Sequence, residues 1–132
     1  MAAGLEIDVA DVVAEVKDAF ACYEAALGAN DVATLEALFH DAPTTLRYGA
    51  GENLYGMEAI RAFRRGRSPV GLERVLEGTV ITTYGRDFAT ANTLFRRSGN
   101  PGKLGRQSQT WVRFPDGWKV VAAHVSLIDD PA

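Results

Sequence analysis

Four β-rich runs follow one another after Gly71, at about Glu73–Tyr84, Phe88–Arg97, Gly105–Phe114 and Trp118–Ile128. Short turn-forming clusters separate them: Gly85-Arg86-Asp87, Ser98-Gly99-Asn100-Pro101-Gly102 and Pro115-Asp116-Gly117. Breaks this short join neighbouring antiparallel strands, because a parallel pair needs a long crossover. Pro-Asp-Gly is a hairpin-turn signal in its own right. Everything before Gly71 reads as mainly helical, so the class is α+β. A strongly bent sheet wrapped around a long helix buries both the helix stripe and one face of the sheet.

The long helix is expected over Ile7–Leu27. Val9, Val12, Val13, Val16, Phe20, Tyr23, Ala26 and Leu27 recur at three- and four-residue spacing. Asp8 is the expected N-cap and Gly28 the expected stop, with residues 1–6 a loose tail. A second helix, Val32–Phe39, starts at Asn30-Asp31 and ends at Asp41-Ala42-Pro43. A short strand follows around Arg47. Leu46 and Tyr48 flank that residue, so alternation sends Arg47 with Thr45 to the opposite face. Gly49-Ala50-Gly51-Glu52-Asn53 is turn-rich, and Leu54-Tyr55-Gly56 leads into a third helix, Met57–Arg65, with Ile60 and Phe63 as its apolar contacts. Ser68-Pro69-Val70-Gly71 is a break. The 132 residues fit one domain spanning 1–132, with no repeat, linker or low-complexity tract.

Bulk properties remove several function classes. Apolar residues are 47% and charged residues 23%, as in ordinary globular chains. A net charge of −3 weighs against a nucleic-acid partner, which would need a basic patch. Arg61, Arg64, Arg65 and Arg67 form a short basic run that reads as a solvated helix end, where cations suit the dipole. No apolar run approaches the ~20 residues that span a bilayer, and no basic region with an apolar run marks a signal peptide. Cys22 is the single cysteine. It fits a reducing compartment and sits in a helical apolar pattern as an inert buried thiol.

Metal-ligand spacings are absent, and the two histidines, His40 and His124, lie far apart, so neither a metal nor an organic cofactor is expected. No nucleophile frame of the GxSxG kind occurs. On the last strand His124 shares a face with Trp118, Val120, Ala122 and Ser126. It either lines a cavity, lies in a subunit interface, or is a satisfied structural histidine. Asn92 and Gln109 are uncharged polar groups suited to orient a small ligand, or else strand polars facing solvent. No Asp or Glu occurs within 88–114, so those strands carry no carboxylate base. A phenol, Tyr23, and a guanidinium, Arg47, remain as the inward pair. Arginine binds a carboxylate bidentately and tyrosine donates a proton, which suits a small anionic substrate. The competing reading makes Tyr23 a core aromatic and pairs Arg47 with Glu52 or Glu24.

Three helices followed by a bent four-stranded sheet resemble the NTF2-like, SnoaL-like, cystatin-like cone. More narrowly, Leu46-Arg47-Tyr48-Gly49, Gly51-Glu52-Asn53-Leu54-Tyr55-Gly56, Ala59-Ile60-Arg61-Ala62-Phe63-Arg64, Gly105-Arg106-Gln107-Ser108-Gln109-Thr110-Trp111 and Gly117 through Leu127 resemble the AtzH-like family, which includes proteins labelled oxalurate catabolism protein HpxZ. The resemblance implies bacterial cytoplasmic proteins acting in breakdown of small ureides such as cyanuric acid and oxalurate. For one branch it implies decarboxylation of 1,3-dicarboxyurea to allophanate. It implies Tyr23 and Arg47 as the catalytic pair. The alternatives are a non-catalytic module that binds a small carboxylate or assists an amidohydrolase, and an isomerase or dehydratase with His124 as base. A homodimer is also expected, since Val121, Ala123, Val125 and Leu127 form an apolar stripe on the last strand.

Overall fold

The computed structural model describes residues 4–131. Helices α1 (Ala10–Gly28), α2 (Val32–Ala37) and α3 (Met57–Gly66) pack on strands β1 (Leu46–Tyr48), β2 (Asn53–Tyr55), β3 (Arg74–Tyr84), β4 (Phe88–Arg97), β5 (Lys103–Phe114) and β6 (Gly117–Asp129). The strands form one curled sheet in the order β2-β1-β6-β5-β4-β3. Every pairing is antiparallel except β1 with β6, which is parallel. The four long strands lie where the turn clusters placed them. The hairpin partner β2 is additional, because three residues after a glycine-rich turn carry no readable alternation.

α1 buries Val12, Val16, Phe20, Tyr23, Ala26 and Leu27 against Ala89, Ala91, Trp111, Trp118 and Val120. Each large apolar side chain so buried stabilises the fold by about 1.5–3 kcal/mol. The helix ends differ from expectation. Asp8 does not cap α1; its carboxylate accepts from the Thr83 amide at 2.9 Å, and its own amide donates to the Thr83 carbonyl at 3.0 Å. The expected tail lies partly outside the described residues, and Glu6 accepts a hydrogen bond from Gly85 at 2.7 Å. At the other end Gly28 is still helical, and Asn30, at φ 51°, makes the stop. The Asp31 amide donates to the Ala26 carbonyl at 2.8 Å and the Asn30 amide to Leu27 at 3.1 Å, the paired bonds of a Schellman turn. Asp31 then caps α2 by accepting from the Thr34 amide at 3.2 Å. Cys22 is exposed, a correction to the expected buried thiol: it lies one residue off the buried stripe.

A bulge decides which side chains face the core. Trp111 pairs with Val120 and Thr110 with Ala122, which leaves Val121 as an extra residue in β6. An extra residue reverses the alternation beyond it. Trp118 and Val120 therefore face inward, while Ala122, His124 and Ser126 face outward. Ala123 is a core residue and Val125 lines an internal cavity. The stripe on which the expected dimer rested thus does not form an outer apolar face.

Candidate functional site

Two cross-strand rows sort the sequence candidates. On the inner face the row runs Ala91, Gln109, Ala123, Arg47, Leu54; on the outer face it runs Asn92, Ser108, His124, Tyr48, Asn53. Arg47 and Gln109 share the inner row, separated by Ala123. Asn92 and His124 share the outer row and are both exposed, on the face opposite Arg47 and Gln109. The bulge at Val121 is the cause for His124, whose ring instead packs edge-on to Tyr48 at 5.9 Å. A His124 base reaching the inner cavity is therefore ruled out by geometry.

Tyr23 and Arg47 line one cavity with Leu27, Arg67, Arg74, Arg97 and Gln107. Its volume is about 30 Å³. Wider depressions of about 500–610 Å³ lie elsewhere on the surface, but none of them gathers buried, unpartnered polar groups. Tyr23 is 2% exposed and Arg47 8%. Gln109 is buried, with its carbonyl occupied by the Trp111 indole at 3.1 Å; it supports this wall without lining the cavity.

The charge around the cavity is out of balance. Arg47, Arg67, Arg74 and Arg97 line the cavity and Arg64 lies beside Tyr23, in a chain whose net charge is −3. Two carboxylates answer them. Glu24, beside Tyr23 on α1, takes Arg74 as a fork, at 2.9 Å to Nε and 2.5 Å to Nη2. Arg74 also donates to Gln107 at 2.8 Å and lies 4.4 Å from the Phe95 ring. Glu52 stands 3.7 Å from Arg47 Nη1, too far for a hydrogen bond. Arg47 Nε and Nη1 and Arg67 Nε and Nη2 are buried without hydrogen-bond partners. Buried donors left unpaired cost free energy that an incoming anion recovers.

Arg64 and Arg67 were missed by reading the basic run as a solvated helix end. Arg64 is 1% exposed, and its guanidinium lies 4.8 Å from the Phe39 ring and 5.9 Å from the Tyr23 ring. The signal was present: Met57, Ile60 and Arg64 fall at helical spacing on one stripe, and all three are buried. Arg61 and Arg65 behave as expected, pairing with Glu36.

The electrostatics follow from this crowding. Burial pushes the Tyr23 phenol up, but the Arg64, Arg47 and Arg74 guanidiniums outweigh it and leave the phenol below its ordinary 10.0. Burial is also the main cause that lowers Arg47, opposed by Tyr23 and Glu52. Arg67 is brought down to about 10, by burial first and then by Arg64 and Arg47. Among the described residues no cluster of His, Cys, Asp and Glu could hold a metal ion. The arrangement can bind a small anion and offer it one acidic hydroxyl.

Glu52 reaches Arg47 through a slot left by Gly49, where a Cβ would overlap the Glu52 carboxylate. A carboxylate entering the cavity would compete with it for the guanidinium. Glu52→Gln is expected to tighten binding of a small dicarboxylate such as malonate by up to about five-fold, the worth of one loosely spaced ion pair. Titration calorimetry checks this, and weaker binding would make Glu52 an orienting group for Arg47 instead.

The AtzH-like family model matches residues 5–131. No curated protein matches the chain. A crystal structure of a protein of unknown function from Pectobacterium atrosepticum is 58% identical, covering 93% of this chain and 95% of that one, with a TM-score of 0.90. A cystatin-like fold protein from Burkholderia xenovorans is 52% identical over 97% of this chain and 100% of that one, at 0.92. An NTF2-like protein of unknown function from Pseudomonas putida is 19% identical over 97% and 92%, at 0.77, a likeness of fold alone. No helix among the described residues is long and apolar enough to cross a membrane.

Proposed function

This chain belongs to the AtzH-like family, and on that premise we propose that it is a small enzyme of ureide catabolism that decarboxylates an N-carboxylated urea such as 1,3-dicarboxyurea. The observation that carries the reading is one cavity lined by both Tyr23 and Arg47, with Arg47 Nε and Nη1 buried and unpartnered. Arg47 holds a carboxylate of the substrate and fixes its orientation. The Tyr23 O–H bond breaks as the substrate nitrogen takes the proton. The electron pair of the breaking C–N bond stays on nitrogen, carbon dioxide leaves, and the phenolate recovers a proton from water. Such carbamates are intrinsically labile, so protonation and orientation suffice and no cofactor is called for.

The test is carbon dioxide release from freshly prepared 1,3-dicarboxyurea. Release well above the spontaneous rate supports the reading. Release at the background rate, with a small carboxylate such as oxalurate still bound, moves the function to the oxalurate branch or to a binding module that assists an amidohydrolase. Pairing of two copies is part of the same proposal, now through the outer sheet face where Val75, Val80 and Phe88 stay exposed. Light scattering that returns a monomer removes it.

A further inference from the structure

We propose that Arg64 is a positioning residue for Tyr23, a buried guanidinium that stays out of reach of substrate and acts by stabilising the phenolate formed when the hydroxyl gives its proton away. The inference rests on the acid role proposed for Tyr23 and deepens it. Arg64 does not line the cavity; it lies behind it, between the Phe39 and Tyr23 rings. Its Nε, Nη1 and Nη2 are all buried and without hydrogen-bond partners. A guanidinium removed from water in this way is costly unless a negative charge answers it.

The surrounding charges identify that answer. Acting on Tyr23 are Arg64 and Arg67 from α3 and its end, Arg47 from β1 and Arg74 from β3, while Arg97 from β4 lines the same cavity. Glu24 is locked on Arg74 and Glu52 stands beside Arg47, so neither is paired with Arg64. Tyr23 is the neighbour that can become negative without leaving its place. Aromatic faces attract a cation weakly, whereas a phenolate at this separation attracts it strongly in a dry interior. The same balance appears in the lowered proton affinity of Tyr23, to which Arg64 is the largest charge contributor. During turnover the charge on Tyr23 exists only between proton donation and recovery of a proton from water. Arg64 is thus strongest at the moment the barrier is crossed, which is what raises kcat rather than affinity.

The first readout follows Tyr23 itself and needs no substrate. The ultraviolet difference absorbance of phenolate is titrated with pH in wild type and in Tyr23→Phe. Tyr48, Tyr55 and Tyr84 are common to both, so the difference isolates the Tyr23 step. In wild type that step is expected below the pH at which an ordinary phenol titrates; a step at or above that pH overturns the proposal. Arg64→Met is expected to move the step to higher pH and to lower kcat for carbon dioxide release by about 10- to 100-fold with KM little changed. Arg64→Lys, which keeps the charge, is expected to retain the low step and most of kcat. A Tyr23 step that does not move in a folded Arg64→Met or Arg64→Gln protein overturns the proposal. If wild type releases no carbon dioxide above background while the step still moves, the decarboxylase reading fails and the coupling of Arg64 to Tyr23 stands.

Discussion

Tyr23→Phe removes one oxygen atom from a fully enclosed ring and is expected to lower kcat for carbon dioxide release by about 10²–10⁴-fold, or about 3–5 kcal/mol of barrier. The ring remains in the core with Phe39, 6.2 Å away, so the fold and KM are expected to change little. Arg47→Ala should differ in kind. It removes the carboxylate fork, raises KM and lowers kcat together, and leaves Glu52 without its partner. The pH profile carries the sign of the Tyr23 environment. The proposed acid works only while protonated, so the rate falls as pH rises through the phenol's value. The guanidiniums place that value below 10.0, so the alkaline limb comes earlier than for an ordinary tyrosine. The residual rate of Tyr23→Phe should lack this limb. Steady-state kinetics of the two variants across pH make the check, and a Tyr23→Phe protein with wild-type kcat would end the acid role.

Trp111→Ala is expected to cost most of the stability of the domain. Trp111 sits on β5 at 0% exposure, facing the same core as Phe20, Ala89 and Val120. Deleting a buried indole loses transfer free energy and leaves a cavity, together about 3–5 kcal/mol. The Gln109 carbonyl loses its 3.1 Å donor, and an orphaned buried acceptor costs about 1–3 kcal/mol more. Small domains hold only about 5–15 kcal/mol in total. Urea unfolding followed by circular dichroism should show a midpoint far below wild type. Because Gln109 shares the inner row with Arg47, anion binding should weaken in the same variant. A midpoint close to wild type would mean that the sheet and α1 close over the space without loss.

Much of the frame was legible because it is periodic. The four long strands could be read from short alternating runs and turn clusters, and their limits fall within two residues of the observed ones. The buried stripe of α1 was legible from three- and four-residue spacing, and it carried Tyr23 inward with it. Alternation around Leu46 and Tyr48 put Arg47 with Thr45 on the opposite face without saying which face is inward; the structure buries both. Of the proposed pair, Tyr23 and Arg47, only the inward direction of Tyr23 was therefore local information. Their meeting at one cavity was not, since it depends on β1 lying parallel to β6, a pairing between segments about half the chain apart.

The misplaced residues share that cause. His124 was assigned a face by counting along β6, and one unpaired residue, Val121, reversed the count. A bulge is a mismatch between two strands and has no signature in either alone. Asn92 on β4 points outward because β4 turns Ala91 and Thr93 inward, a choice of face that an apolar–polar alternation as weak as Phe-Ala-Thr-Ala-Asn-Thr does not specify. Asn30 replaced Gly28 as the helix stop because the turn is closed by the Asp31 amide reaching Ala26, a hydrogen bond rather than a residue preference. Arg64 was read as a solvated cation because arginine is rarely buried, yet its place on the Met57–Ile60 stripe made it part of the interior. The sequence by itself determined the three helices, the four long strands, their order and the inward direction of Tyr23, since these follow from periodicity. The tertiary structure alone decided the sheet register and the charge that surrounds Tyr23, because both depend on which distant segments lie side by side and what they exclude from water.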